Sequence, residues 1–178
     1  PGVTVNRYCA SGLETIGIAT AKIQSGMADC ILAGGAESMS YIPMGGYKPV
    51  PDYEVAKSGH EDYYWGMGLT AEAVAKQFNI SREDQDLFAF ESHQKALKAI
   101  AEKKFENQIV PITVEQTFLN EKGKKETKSY TVTQDEGPRA DTNLAALAKL
   151  RPVFAADGTV TAGTSSQMSD GAAFVLVV

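Results

Sequence analysis

Cysteine and histidine are scarce in this sequence, with two of each among 178 residues. So few cysteines do not build a disulfide scaffold, although Cys9 and Cys30 could pair in principle, and a reducing compartment is expected. Nor do two separated histidines, His60 and His93, and two distant cysteines give the ligand spacing of a closed metal site. Positive charge is not in excess either: the formal charge is -5 and the pI near 5.1. That balance argues against nucleic acid or an anionic membrane as principal partner, so an anionic ligand has to be held by a local cation. The longest apolar stretch, Ala172 to Val178, is far too short to cross a bilayer, and no charged segment followed by an apolar run opens the chain as an export signal would. GxGxxG spacing and a P-loop lysine are missing, which leaves a nucleotide-phosphate cradle unsupported. Internal repeats and low-complexity tracts are also missing.

What is present is a globular composition. Hydrophobic residues make up 43% of the chain, enough to bury a core in one domain or in a domain core with an inserted lobe. Val3 to Arg7 alternates as a short strand, and Ser11 to Gln24 carries Leu13, Ile16, Ala19 and Ile23 at helical spacing, closed by Gly26. A second strand, Cys30 to Ala33, follows at once. Strand, helix, strand at this spacing predicts a βαβ unit with a parallel pair and a right-handed crossover, and the apolar second strand suits burial on both faces. From Ser38 to about Asp62 prolines, glycines and tyrosines break the pattern into an ordered loop. Helices are predicted over Leu69 to Phe78 and after Ser81, where Ser81-Arg82-Glu83-Asp84 resembles a capping box with Asp in the fourth place. The second helix should point Leu87, Phe88, Phe90, Ala96, Leu97 and Ile100 toward a core. Ile109 to Val114 and Lys128 to Thr133 read as strands, the first pushed toward an edge by Pro111, joined through a Lys-rich turn around Gly123. Asn143 to Leu150 reads as a short helix stopped by Pro152, and a Gly, Ser and Thr-rich segment from Asp157 to Gly171 leads into a final strand.

This gives an α/β piece over residues 1–37, an inserted lobe over residues 38–150 and a return to the α/β piece over residues 151–178. The start lacks an initiator Met and runs straight into a β-rich segment, and the end is a strand without a polar tail. Both ends are therefore expected to be cut within a fold.

Chemistry concentrates at Cys9, between the end of a strand and the first turn of a helix, followed by Ala10, Ser11 and Gly12. A helix N-terminus carries partial positive charge and unpaired N–H groups, which favour a thiolate, and small neighbours let the turn lift the sulfur into a cleft. The same position also suits a small buried hydrophobe at a crowded corner. Cys30, inside Cys30-Ile31-Leu32-Ala33 with no neighbouring cation, reads as a structural core cysteine. Gly34-Gly35-Ala36-Glu37-Ser38-Met39 ends the second strand, where glycines permit close backbone approach to a ligand or another loop. His60, in an acidic loop, and His93, on a helix, are not read as the base of a cysteine nucleophile.

Asn6-Arg7-Tyr8-Cys9-Ala10-Ser11-Gly12-Leu13 resembles the nucleophile motif of the thiolase family. Gly34-Gly35-Ala36-Glu37-Ser38-Met39-Ser40 is similar to the family's turn after the following strand. Asp157-Gly158-Thr159-Val160-Thr161-Ala162-Gly163-Thr164-Ser165-Ser166, with Ser169-Asp170-Gly171-Ala172-Ala173, resembles its later glycine-rich loop. Between them Met67-Gly68-Leu69-Thr70-Ala71-Glu72, Ile80-Ser81-Arg82-Glu83-Asp84-Gln85-Asp86 and Leu150-Arg151-Pro152-Val153-Phe154 are similar to segments of the family's loop domain. The resemblance implies an α/β/α layered fold with a mixed sheet and an inserted α+β loop domain. It implies an acyltransferase that cleaves 3-ketoacyl-CoA with CoA, with Cys9 as nucleophile, CoA and acyl-CoA as substrates, and no tightly bound cofactor.

By the family pattern, Met67 would line the pantetheine entrance. Arg139, Thr142 and Ser166 would meet the nucleotide and pantetheine portions of CoA, and Phe154 and Ala162 would shape the same tunnel. Arg139 supplies the local cation for a phosphate, although its neighbours Asp135, Glu136 and Asp141 also fit a surface arginine offsetting acidic charge. Gly66 stands where biosynthetic relatives tend to have His, which favours the degradative type; Thr164 and Gln167 replace the Asn and Gly usual in the biosynthetic loop. The family's Gly-His-Pro histidine and the cysteine of its Cys-x-Gly motif do not occur in this sequence and would lie beyond Val178. The resemblance also implies a dimer or a pair of dimers, in a bacterial cytoplasm, or in mitochondria or peroxisomes of a eukaryote. The alternatives are a biosynthetic acetyl-CoA acetyltransferase or other condensing enzyme, such as a ketoacyl-carrier-protein synthase, and, in another class, a non-catalytic CoA-binding or assembly module.

Overall fold

In the computed structural model, residues 2–178 are described, and they divide into two compact units, residues 2–58 with 167–178 and residues 59–166. In the first unit, helix α1 (Ser11–Gln24) forms where the apolar spacing places it, with Ala19 buried. A Schellman arrangement stops it: Gly26 adopts φ +72°, its N–H bonds the Ile23 carbonyl at 3.0 Å, and Met27 N–H bonds Lys22 at 2.9 Å. Strand β1 (Ile31–Glu37) then pairs antiparallel with β4 (Gly171–Val177), from Ile31↔Val177 to Glu37↔Gly171. Helix α1 packs on β1, and the Thr15 hydroxyl donates to the Gly34 carbonyl at 3.2 Å.

Gly34 is required at its place. A Cβ there would run into the Ala173 carbonyl and the Phe174 backbone and ring. The close approach read from the glycines is thus met, at this position, by the neighbouring strand.

Three expectations for this unit are corrected. Val3 to Arg7 forms no strand among the described residues; only an isolated bridge, Arg7↔Cys9, occurs there. The parallel βαβ pair is therefore not formed, and β1 takes β4 as its partner instead. A period-2 pattern specifies which side chains share a face but not which strand supplies the ladder of hydrogen bonds. Finally, β1 is not buried on both faces: Ala33 is buried but Leu32 is 67% exposed, because α1 covers one face only. Within residues 38–58 the predicted loop contains a short helix, α2 (Tyr53–Lys57), capped by Asp52, whose carboxylate accepts from Glu54 N–H at 2.8 Å.

The second unit opens with a 3-10 turn, Glu61–Tyr64, followed by α3 (Met67–Gln77), which starts two residues ahead of the predicted Leu69. Helix α4 (Arg82–Ala101) begins with the expected cap: Ser81 Oγ accepts from Asp84 N–H at 3.0 Å and meets the Asp84 carboxylate at 2.7 Å. Its inward face is set by Arg82 and Asp86 as much as by apolar residues. Arg82 Nε lies 3.0 Å from both oxygens of the buried Asp86, and Arg82 Nη2 donates to the Leu147 and Leu150 carbonyls at 2.6 and 3.0 Å. Phe88, expected in the core, is 77% exposed, since two residues beyond Asp86 lies about 200° further round the helix.

Strands β2 (Ile112–Leu119) and β3 (Lys125–Val132) form an antiparallel hairpin. Its turn places Gly123 at φ +70°, and Thr113–Thr131 and Thr117–Thr127 hydroxyl pairs link the strands. Helix α5 (Leu144–Leu147), shorter than predicted, is capped by Asn143 Oδ1 accepting from Ala146 N–H at 2.9 Å. No helix among the described residues is long and apolar enough to cross a membrane.

Candidate active site

Cys9 sits on a tight turn just ahead of α1 and is exposed with a free thiol. Tyr8 takes φ +48°, a left-handed conformation that costs a bulky residue roughly 1 kcal/mol or more. Side chains hold this turn in place. Asn6 Oδ1 accepts from Tyr8 N–H at 2.8 Å, and the Ser11 hydroxyl accepts from Arg7 N–H at 2.7 Å while donating to the Tyr8 carbonyl at 2.7 Å. The Arg7 guanidinium pairs with Glu14, one turn into α1, at 2.7 Å. The residue at the N-cap position, Ala10, offers no side-chain cap, and Ser11 Oγ instead ties the helix start to the turn that precedes it. Cys30, expected in the core, is instead exposed and free: it precedes β1 outside the ladder and lies clear of the face that α1 covers.

The remaining predicted residues fall in the second unit. Met67 is the first residue of α3 and 67% exposed. One residue on, Gly68 lies against the ring of Phe154, so closely that a Cβ would collide with it. Phe154 follows the Pro152–Thr161 bridge, where Val153 N–H bonds the Val160 carbonyl at 3.1 Å. That bridge ties the Pro152–Phe154 stretch to the glycine-rich segment that follows it. The fully buried Thr161 organises it: Thr161 N–H donates to Thr164 Oγ1 at 3.0 Å, Gly163 N–H donates to Thr161 Oγ1 at 3.2 Å, and Ser165 Oγ donates to the Thr161 carbonyl at 2.7 Å. Thr164, which departs from the biosynthetic pattern, thus supplies an acceptor the loop uses. Gly163 packs under α5, where a Cβ would stand 2.6 Å from Leu147. Ala162 and Ser166 remain exposed on this loop.

Glu72, one turn after Gly68 on α3, clasps the same loop. Its carboxylate accepts from Val160 N–H at 2.8 Å, from Thr159 N–H at 2.9 Å and from the Thr159 hydroxyl at 3.2 Å. Desolvation pushes the Glu72 carboxyl up, but the Thr159 and Val160 donors outweigh it and hold its pKa below the ordinary carboxylate value. Gln85 on α4 adds a 2.9 Å bond to the Thr159 hydroxyl. Neither Glu72 nor Gln85 was singled out by sequence reasoning. Each stands in a motif similar to the family's, and the only further signal is an acid set one turn beyond Gly68.

Arg139 and Thr142 lie on the segment before α5, joined by a bond from Thr142 N–H to the Arg139 carbonyl at 3.3 Å. The Arg139 guanidinium forms a two-pronged pair with Asp141, at 3.2 and 3.0 Å, which raises the pKa of the arginine and lowers that of the aspartate. Both are exposed. His93 Nδ1 accepts from Arg139 N–H at 3.1 Å, and His60 stacks on Tyr63 with ring centroids 5.4 Å apart. The structure thus gathers Met67, Phe154, Ala162 and Ser166 onto segments tied together by α3, and keeps Arg139 with Thr142 on a separate stretch. Among the described residues, no group of three or more His, Cys, Asp or Glu could hold a metal ion.

A family profile described as "Thiolase, N-terminal domain" matches residues 1–178. The chain belongs to the thiolase family. It is 52% identical over 178 residues to a 3-ketoacyl-CoA thiolase of Bacillus subtilis, covering all of this chain and 45% of that protein. It is 45% identical over 177 residues to the human peroxisomal 3-ketoacyl-CoA thiolase, covering 99% of this chain and 41% of that one. The crystal structure of the dimeric peroxisomal thiolase of Saccharomyces cerevisiae superimposes with a TM-score of 0.77 at 39% identity, covering 98% of this chain and 42% of that chain. This thiolase chain therefore has the α/β thiolase fold and spans a little under half the length of the curated relatives it matches.

Proposed function

We propose that this thiolase chain supplies the nucleophile and part of the CoA site of an acetyl-CoA C-acyltransferase that cleaves 3-ketoacyl-CoA with CoA. The observation that carries this reading is Cys9, exposed on a braced turn at the head of α1 within a chain 52% identical to a 3-ketoacyl-CoA thiolase. The Cys9 thiolate attacks the keto carbon, and the bond to the adjacent carbon breaks. Acetyl-CoA leaves as an enolate that takes up a proton, and the shortened acyl group stays on sulfur as a thioester. A CoA thiol, deprotonated, then attacks that thioester and releases the new acyl-CoA with the Cys9 thiolate restored. Arg139, Thr142 and Ser166 contact the nucleotide and pantetheine portions of CoA, with Met67, Phe154 and Ala162 shaping the tunnel. On the family resemblance, the base and proton donor come from Gly-His-Pro and Cys-x-Gly motifs, neither of which occurs in these 178 residues.

The degradative direction is favoured by Gly66 ahead of Met67. CoA and acyl-CoA are the partners, no cofactor is tightly bound, and the intact protein is a homo-oligomer, a reading supported by the likeness to a dimeric yeast thiolase. The location is a bacterial cytoplasm or, in a eukaryote, a peroxisome or mitochondrion, in line with bacterial and peroxisomal relatives. The thiolase core spans residues 1–37 and 151–178, with residues 38–150 an inserted loop domain. The enclosure of one compact unit within the sequence of the other supports an insertion, its bounds there falling at residues 59 and 166.

The test is thiolysis of acetoacetyl-CoA and longer 3-ketoacyl-CoA by the full-length gene product. Cys9→Ala should lower kcat by about a thousandfold or more. Because Cys9 and Cys30 are both exposed, faster alkylation of Cys9 by iodoacetamide, suppressed by acyl-CoA, reports chemistry beyond accessibility. Absence of thiolysis, or full activity of Cys9→Ala, rejects the proposal.

A further inference from the structure

Among the predicted CoA-facing residues of the second unit, Met67 at the start of α3 is far in sequence from Phe154, Ala162 and Ser166, which lie on the Pro152–Phe154 stretch and the glycine-rich loop that follows it. Both of these meet helix α3. Met67 heads it, Gly68 receives the Phe154 ring, and one turn later Glu72 accepts from Thr159 N–H, Thr159 Oγ1 and Val160 N–H. Gly158 presses on the same carboxylate, since a Cβ on it would meet Glu72. Glu72 therefore ties the loop to the helix that carries Met67 and backs Phe154.

We propose that Glu72 is a positioning residue for CoA: its carboxylate clamps Thr159 and Val160 to α3, and so sets the separation between Met67 with Phe154 on one side and Ala162 with Ser166 on the other. This rests on the reading of those four residues as the pantetheine site. The Glu72 carboxylate is committed to the Thr159 and Val160 donors, so its removal should weaken CoA binding and leave the chemical step. The Thr161 network and the packing of Gly163 hold the loop's internal shape. Three donors converging on the Glu72 carboxylate, with Gln85 fixing the Thr159 hydroxyl from α4, tie that shape to α3.

The experiment measures kcat and the KM for CoA in the full-length gene product. Glu72→Ala should raise the KM for CoA about tenfold with kcat within about twofold, the loss expected when a charge-assisted clamp outside the chemistry is removed. Glu72→Gln keeps an acceptor for one N–H but turns an amide donor toward the others, and should fall in between. Thr159→Val deletes only the hydroxyl and preserves shape. It should raise the KM about twofold, and gives a well-folded readout should Glu72→Ala fail to fold. Gly123→Ala, strained at φ +70° in the β2–β3 turn and remote from the clamp, is the stability control: it should lower Tm and leave the KM unchanged. An unchanged KM in both Glu72→Gln and Thr159→Val overturns the inference, as does a parallel fall in kcat and Tm without a change in KM. An inert wild-type protein overturns the proposed function instead.

Discussion

The Arg139 guanidinium already has an anionic partner two residues away in Asp141, with both side chains in open solvent. A pair so exposed contributes little to folding. It does decide what a phosphate meets, because the phosphate has to displace or share the guanidinium with a carboxylate. Asp141→Asn is therefore expected to lower the KM for CoA by about threefold at low salt, with the gain fading as added salt screens the charges. Arg139→Ala should move the KM the other way. An Asp141→Asn protein with an unaltered KM at low ionic strength would remove Arg139 from the anion site. Phe88 and Cys30 teach a related point about single residues: an apolar type raises the odds of burial, but the position round the helix, or outside the ladder, decides it.

At the scale of elements, the β1–β4 pair depends on a residue without a side chain. Adding a methyl at Gly34 brings it against the Ala173 carbonyl and the Phe174 backbone, neither of which swings aside as a flexible side chain would. Gly34→Ala in the full-length protein should cost about 2 kcal/mol or more of stability, read as a drop in Tm or in the denaturant midpoint. A wild-type Tm would mean that the strands sit further apart than described. Much of the element structure was legible. Ser11–Gln24 announced itself by apolar spacing and a closing glycine, and α4 by Ser81 and Asp84, because helix signals are local. The β2–β3 hairpin was legible from its turn around Gly123, but the partner of β1 was not. Nothing in Ile31–Glu37 names Gly171–Val177 as its neighbour, and the expected parallel partner over Val3–Arg7 did not form. The Glu72 clamp was hidden for the same reason, since its donors lie 87 and 88 residues away. The Cys9 turn, by contrast, was readable from the order of small residues around the thiol.

At the scale of the whole molecule, the chain exposes 14579 Å². Even two independent domains of half this length would expose only about 10,000 Å² in total. Large apolar side chains account for part of the excess, among them Phe174, Leu176 and Leu32 on the β1–β4 sheet and Met67, Phe88 and Val110 in the other unit. The 178 residues expressed alone should bind a hydrophobic dye, melt without a sharp calorimetric transition and show negligible thiolysis. A sharp two-state transition without dye binding would contradict this.

The polypeptide leaves the sheet after Glu37 and re-enters it at Gly171, and these two residues face each other across one rung of the ladder, with Asp170 accepting from Ser40 N–H at 2.9 Å just beyond it. The intervening stretch therefore departs and returns at a single gate. A segment anchored at adjacent points is a cassette: a short reverse turn could replace it without moving either strand, and genetic exchange could swap one version for another at little cost to the sheet.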